Sequence, residues 1–134
     1  MRGSCLCGTI EYEVTRLDSP IRHCSCPTCR KAQGTAFSTS ARVEMVHFAW
    51  VRGSEWLKSF ESSPGKRRFF CGLCGSPLIA RHEDSNRLML RVASLDDDPG
   101  QVPQSHIWQS LRPPWLVDGP DLKIYPEWDP GHEE

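Results

Sequence analysis

The chain lacks a hydrophobic run long enough to span a bilayer, and its 134 residues carry a formal net charge of only -1. The first absence excludes a transmembrane helix, which needs about 20 consecutive apolar residues. The second removes the overall field that draws proteins to nucleic acid or to anionic membranes, so neither is expected as a partner. No repeat, low-complexity stretch or internal linker is present, and no amphipathic segment reaches helix length. Met1-Arg2-Gly3-Ser4 runs straight into cysteine without the apolar stretch of a signal peptide, so a reducing, cytoplasmic setting is expected. With 38% hydrophobic and 25% charged residues, 11 prolines and 10 glycines, the composition fits one loop-rich globular domain over residues 1–134.

Against these absences stand seven cysteines in three tight clusters: Cys5-x-Cys7, Cys24-x-Cys26-x-x-Cys29 and Cys71-x-x-Cys74. An odd count without a secretory signal argues against a disulfide framework, and a Cys-x-Cys disulfide is geometrically awkward. Such spacings instead let several thiolates converge on one soft cation, for which tetrahedral zinc is the usual choice. Seven thiolates divide naturally into a closed set of four and a set of three with one coordination position free.

Cys71-Gly72-Leu73-Cys74-Gly75 has the form of a zinc knuckle, in which backbone N–H groups point at the thiolates and the final glycine tolerates a positive φ. Cys5-Leu6-Cys7-Gly8 is a tighter version. Together the pairs could complete a four-cysteine site that ties the chain start to the middle of a sheet, across roughly sixty residues whose closure entropy favours a clip. The alternatives are that each pair joins a different metal or is simply buried. For Cys24, Cys26 and Cys29 two readings stand side by side. One is a second closed site completed by His23, His47, His82, His106 or a partner chain, with His23 disfavoured because neighbouring side chains in an extended segment diverge. The other is an open zinc whose fourth ligand is water or an incoming thiol.

The rest of the chain reads as short strands: alternating Thr9 to Thr15, Ile21 to His23, Ala36 to Val43, Val46 to Val51, Glu55 to Ser62, Arg67 to Cys71, Pro77 to Arg81 and Leu88 to Ser94. Ser63-Pro64-Gly65-Lys66 marks a hairpin turn. Pro27 to Ala32 allows one helical turn ended by Gly34. From Asp96 onward the tail, rich in Pro, Asp and Trp, is expected to be irregular. The expectation is a mainly β, antiparallel domain, whose open edges a homodimer would cover.

Among the charged residues, Arg30-Lys31 directly follows the cysteine loop and is better placed than Lys66-Arg67-Arg68 to receive a substrate carboxylate, although solvated surface is the first reading for it. A short basic run beside a hairpin turn usually forms a solvated edge, as Lys66-Arg67-Arg68 would. His106 is a candidate for orienting a substrate, while Trp108 and Trp115 supply aromatic bulk for packing.

Three stretches then acquire a joint meaning: Gly3-Ser4-Cys5-Leu6-Cys7-Gly8-Thr9-Ile10-Glu11-Tyr12, His23-Cys24-Ser25-Cys26-Pro27-Thr28-Cys29-Arg30-Lys31, and Arg68-Phe69-Phe70-Cys71-Gly72-Leu73-Cys74-Gly75-Ser76-Pro77-Leu78. In order and flanking residues they resemble the glutathione-dependent formaldehyde-activating enzyme family, whose domain is shared with centromere protein V. Gly53 and the stretch from His106 to Trp115 also fall where that family's pattern expects them. The resemblance implies a small, mainly β, antiparallel β-tent domain with zinc knuckles and two zinc ions per chain. It assigns Cys5, Cys7, Cys71 and Cys74 to a structural zinc and Cys24, Cys26 and Cys29 to a catalytic one. It further implies a carbon–sulfur lyase that forms or breaks a thiol–aldehyde adduct such as S-hydroxymethylglutathione, with glutathione or a similar small thiol and a small aldehyde as substrates. The contrasting reading is a noncatalytic zinc-binding structural or interaction module.

Overall fold

The computed structural model describes residues 1–117, 119 and 121–131; the other five fall in the tail expected to be irregular and lie outside the described residues. In chain order the strands are β1 (Arg2–Ser4), β2 (Glu11–Val14), β3 (Arg22–Cys24), β4 (Ser38–Glu44), β5 (Phe48–Arg52), β6 (Leu57–Ser63), β7 (Lys66–Cys71), β8 (Pro77–His82), β9 (Arg87–Arg91) and β10 (Ser105–Ile107). One helix, α1 (Pro27–Gln33), lies between β3 and β4. The strands form a three-stranded sheet, β1-β2-β5, and a seven-stranded sheet, β10-β3-β4-β9-β8-β7-β6. The mainly β expectation is met.

Alternation explains both sheets. In β2, Tyr12 and Val14 are buried while Glu13 is exposed, so the strand turns one face to the core. In the large sheet, residues in register share a face, and two such sets emerge. Ala41 pairs with Leu90, Leu90 with Ile79 and Ile79 with Phe69; Val43 pairs with Leu88. This face packs with Ile10, Tyr12, Val14 and Leu78 into the core, where each fully buried large apolar side chain contributes about 1.5–3 kcal/mol. The alternate positions carry Arg22, Ser40 and Arg91 in one row and Arg42, Met89, Ala80 and Arg68 in the next. That second face is polar and strongly basic.

Tyr12 joins the two sheets. Its ring stacks on Phe48 with centroids 5.3 Å apart, and its hydroxyl lies 2.6 Å from Ser94 Oγ. Gly3, opposite Tyr12 in β1, leaves room for that ring: a Cβ there would collide with the phenol. This explains a strand over Arg-Gly-Ser, which carries no apolar alternation and was not anticipated. β10 was likewise unexpected, and it pairs with β3 in parallel, His106 against His23, within an otherwise antiparallel sheet. Ser105 and His106 have little β preference of their own and are held there by pairing to β3. Strands expected to begin at Val46 and Glu55 start later because 3₁₀ turns occupy Met45–His47 and Ser54–Trp56, and Val92–Ser94 is a third such turn.

Gly53 closes the turn between β5 and β6 at φ +77, and a Cβ there would strike the Thr9 carbonyl oxygen, a backbone atom. Gly65, at φ +76, has open space around it. Gly65→Ala is therefore expected to cost about 1–2 kcal/mol from the left-handed conformation alone. Gly53→Ala adds overpacking against backbone, for a total of about 3 kcal/mol or more. Urea unfolding of the two variants checks this, and equal losses would refute the Thr9 contact.

Candidate metal centre

Four of the cysteines meet where the chain start crosses the β7–β8 turn. The sulfurs of Cys5, Cys7, Cys71 and Cys74 all lie within 4.8 Å of one another, with Cys5–Cys7 at 3.6 Å and Cys7–Cys71 at 4.0 Å. Zinc–sulfur bonds of about 2.3 Å in a tetrahedron require sulfur separations of about 3.8 Å, so the group fits a single zinc. Backbone N–H groups already point at the sulfurs: Ile10 donates to Cys5 at 3.2 Å and Leu73 to Cys71 at 3.4 Å. The glycines after each pair, Gly8 and Gly75, sit at φ +78 and +81, the conformation expected from the knuckle pattern. Burial pushes the Cys5 thiol up to about 11. At Cys74 burial acts upward too, yet hydrogen bonds with Ser76 outweigh it and bring the thiol down to about 5. The set as a whole accommodates shared protons or a cation.

The other three, Cys24, Cys26 and Cys29, form a second group within the same 4.8 Å limit. Cys24 ends β3; Cys26 is the N-cap of α1, its sulfur accepting from the Cys29 N–H at 3.3 Å; Pro27 occupies the first helical turn. Proline suits that position because its missing N–H is not needed there. Gly34, at φ 64, ends the helix as expected. Burial raises the Cys24 thiol to about 12. At Cys29 burial also acts upward, but hydrogen bonds with Cys26, Ser38, Cys24 and Arg68 overcome it and lower the thiol to about 7. Among the described residues no histidine joins either group. His23 Nδ1 is 2.8 Å from Thr39 Oγ1, His47 Nδ1 is 2.9 Å from Asp18, and His106 Nε2 is 2.6 Å from the buried Ser25 Oγ.

The three-thiol group lies on the wall of a cavity of about 340 Å³. Arg22, Lys66, Arg68 and Arg91 also line it, from the basic face of the large sheet. Arg68 reaches to 3.9 Å from Cys29 Sγ. The charge assignments made from the sequence need correction here. Arg30 turns back to donate to the Ser25 and Leu111 carbonyls at 3.0 and 3.4 Å, and with Lys31 it borders a different hollow. Lys66 and Arg68 face the thiols instead, while Arg67, one residue out of phase, pairs with Ser59 and Glu61. The strand period of two decides which of three consecutive cations reaches the cavity, and the basic run alone gave no sign of it. Arg22 and Arg91 were missed because nothing local marks them; only the register brings them alongside. His106 braces the cysteine loop through Ser25 and does not line the cavity, whereas Trp108, held at φ 57, does.

A mainly β domain with two convergent thiol groups, one of them opening onto a cavity, defines a small protein suited to holding soft metal ions. The chain belongs to the glutathione-dependent formaldehyde-activating enzyme family, which it matches over residues 1–111. The crystal structure of a Rhodobacter sphaeroides protein, a structural-genomics target, is similar at 29% sequence identity and a TM-score of 0.62, covering 77% of this chain and 98% of that one. No curated protein matches the sequence.

Cys71 is fully buried within the core cluster, whereas Cys26 is partly exposed on a loop. Cys71→Ser is accordingly expected to destabilise the metal-loaded protein by about 3 kcal/mol or more, and Cys26→Ser by less than about 1. Thermal melts with metal analysis of each variant test this; equal destabilisation would mean both groups serve the fold alike.

Proposed function

We propose that this chain is a zinc-dependent thiol–aldehyde enzyme of the carbon–sulfur lyase type. It would form or break an adduct such as S-hydroxymethylglutathione and use two zinc ions. Cys5, Cys7, Cys71 and Cys74 hold the structural ion; Cys24, Cys26 and Cys29 hold the second. The carrying observation is the difference between the two groups: four sulfurs enclose one position, while three sulfurs face a cavity with space for a small molecule. The family's own description, glutathione-dependent formaldehyde-activating enzyme, supports the same substrates.

Zinc at the three-thiol group would supply Lewis acidity and favour the thiolate form of an incoming thiol at neutral pH. The chain contributes the remaining parts. The N-cap role of Cys26 and the burial of Cys24 hold the donors in place before any ligand arrives. Arg22, Lys66, Arg68 and Arg91 create a positive potential that favours a sulfur anion over its thiol and an alkoxide over its neutral form. Addition joins sulfur to the carbonyl carbon as the carbonyl oxygen gains a proton, and the reverse reaction breaks the same carbon–sulfur bond.

Native mass spectrometry of the purified protein, with and without glutathione, tests this reading. Two zinc ions and a glutathione adduct that Cys26→Ser abolishes are expected. Two zinc ions indifferent to thiol would favour a noncatalytic zinc-binding module, and a single zinc would deprive the mechanism of its metal.

A further inference from the structure

The cavity beside the three thiols holds more positive charge than the thiols can balance. Four cations line it and no carboxylate does. None of the four takes part in an ion pair with a described residue; the pairs that exist involve other cations. Three thiolates around a divalent metal carry one net negative charge, which leaves most of this positive charge uncompensated. Two of the cations are also poorly placed for water to relieve them. Arg91 is 6% exposed and its buried Nε has no hydrogen-bond partner; Arg68 is half-buried, with Nε donating to Ser62 Oγ at 3.0 Å and Nη1 buried and unpartnered. A buried guanidinium without an anion costs several kcal/mol, so Arg91 is retained at a loss unless something binds it, and Arg68 has a donor to spare beside it.

We propose that the carbonyl substrate of this site carries a carboxylate next to its reacting carbon, and that Arg68 and Arg91 bind that carboxylate. The inference rests on the thiol–aldehyde reading above and names its substrate class: an aldehyde of the 2-oxo acid type, in place of the formaldehyde that S-hydroxymethylglutathione contains. Proximity selects the carbonyl partner over the thiol. Arg68 Nη2 is 3.9 Å from Cys29 Sγ, so an anion seated on it lies against the thiol cluster itself. The carboxylates of glutathione stand many bonds from its sulfur, whereas that of a 2-oxo acid is bonded directly to the reacting carbon. Planar guanidinium groups also match carboxylate geometry with paired N–H donors. The reaction balances without a further reagent. The thiol sulfur bonds to the aldehyde carbon, the carbonyl π bond opens, and the thiol proton ends on the oxygen. The product is an α-hydroxy carboxylate thioether, with no change of overall oxidation state.

Two measurements on zinc-loaded protein test the proposal. Calorimetric titration with oxamate, an unreactive carboxylate of the same shape, should show binding that weakens about tenfold or more in Arg68→Gln and in Arg91→Met. Should Arg91→Met fail to fold, the less buried Arg68→Gln carries the comparison. Turnover, corrected for uncatalysed addition, should favour glyoxylate over acetaldehyde by about tenfold with glutathione and equally with cysteamine, a thiol without carboxylates. Oxamate binding unchanged in both variants would overturn the proposal. A preference seen with glutathione and absent with cysteamine would overturn it as well, by placing the carboxylate on the thiol. Formaldehyde turnover without oxamate binding would overturn this inference and spare the lyase reading. Arginine-dependent oxamate binding without turnover of any aldehyde would instead sink the lyase reading and keep the arginine pair as a carboxylate site.

Discussion

Two-residue alternation across the seven-stranded sheet is the constraint on which the rest of this protein depends. In β4, β7 and β9 one phase feeds the core, and the other supplies Ser38, Ser40, Lys66, Arg68, Met89 and Arg91 to the cavity. Because Ala41, Leu90 and Ile79 face the core, their neighbours Ser40, Arg91 and Ala80 must lie on the opposite face of the sheet. A one-residue slip would exchange the sets, burying arginines in the core and emptying the cavity of charge. Hydrophobic burial thus fixes the register, and the register in turn assembles the basic wall opposite the thiols.

The net charge of -1 conceals this arrangement. Acidic residues are concentrated elsewhere: Glu11 and Glu13 pair with Arg2 and Arg52 on the small sheet, and Asp18 meets Arg16 and His47 at a loop. The four cations that line the cavity have no such partner among the described residues. A near-zero total therefore speaks to long-range attraction, while binding at the cavity is governed by charges a few ångströms from the thiols, where the local dielectric is lower.

What the sequence disclosed and what it withheld follow the same physical division. Cysteine spacing is a local property, so the four-plus-three grouping, the glycines at positive φ and the short helix that starts at Pro27 and stops at Gly34 could be read directly. Alternation in β2 and β9 was also legible, because each strand buries one face. Pairing is not local. The roles of Arg22, Arg68 and Arg91 depend on which strand lies beside which, and β10 exists only because β3 offers it an edge. Lys66-Arg67-Arg68 looked like a single basic run, yet its members serve opposite faces. His106, read as a substrate contact, instead holds the loop that carries the cysteines.

The parallel pairing of β10 with β3 has a consequence for the order in which the protein assembles. Hairpins such as β6–β7 close over a few residues, while β10 must return across more than eighty to lie beside Arg22 and His23. The added loop-closure entropy is roughly 3 kcal/mol, and pairings of such long sequence separation form late. Ile107 and Trp108, which wall one side of the cavity, arrive with that strand. Until β10 docks, the three-thiol cavity lacks the wall that Ile107 and Trp108 supply. During that interval its sulfurs are open both to metal capture and to oxidation, and whichever comes first decides the state in which the cavity closes.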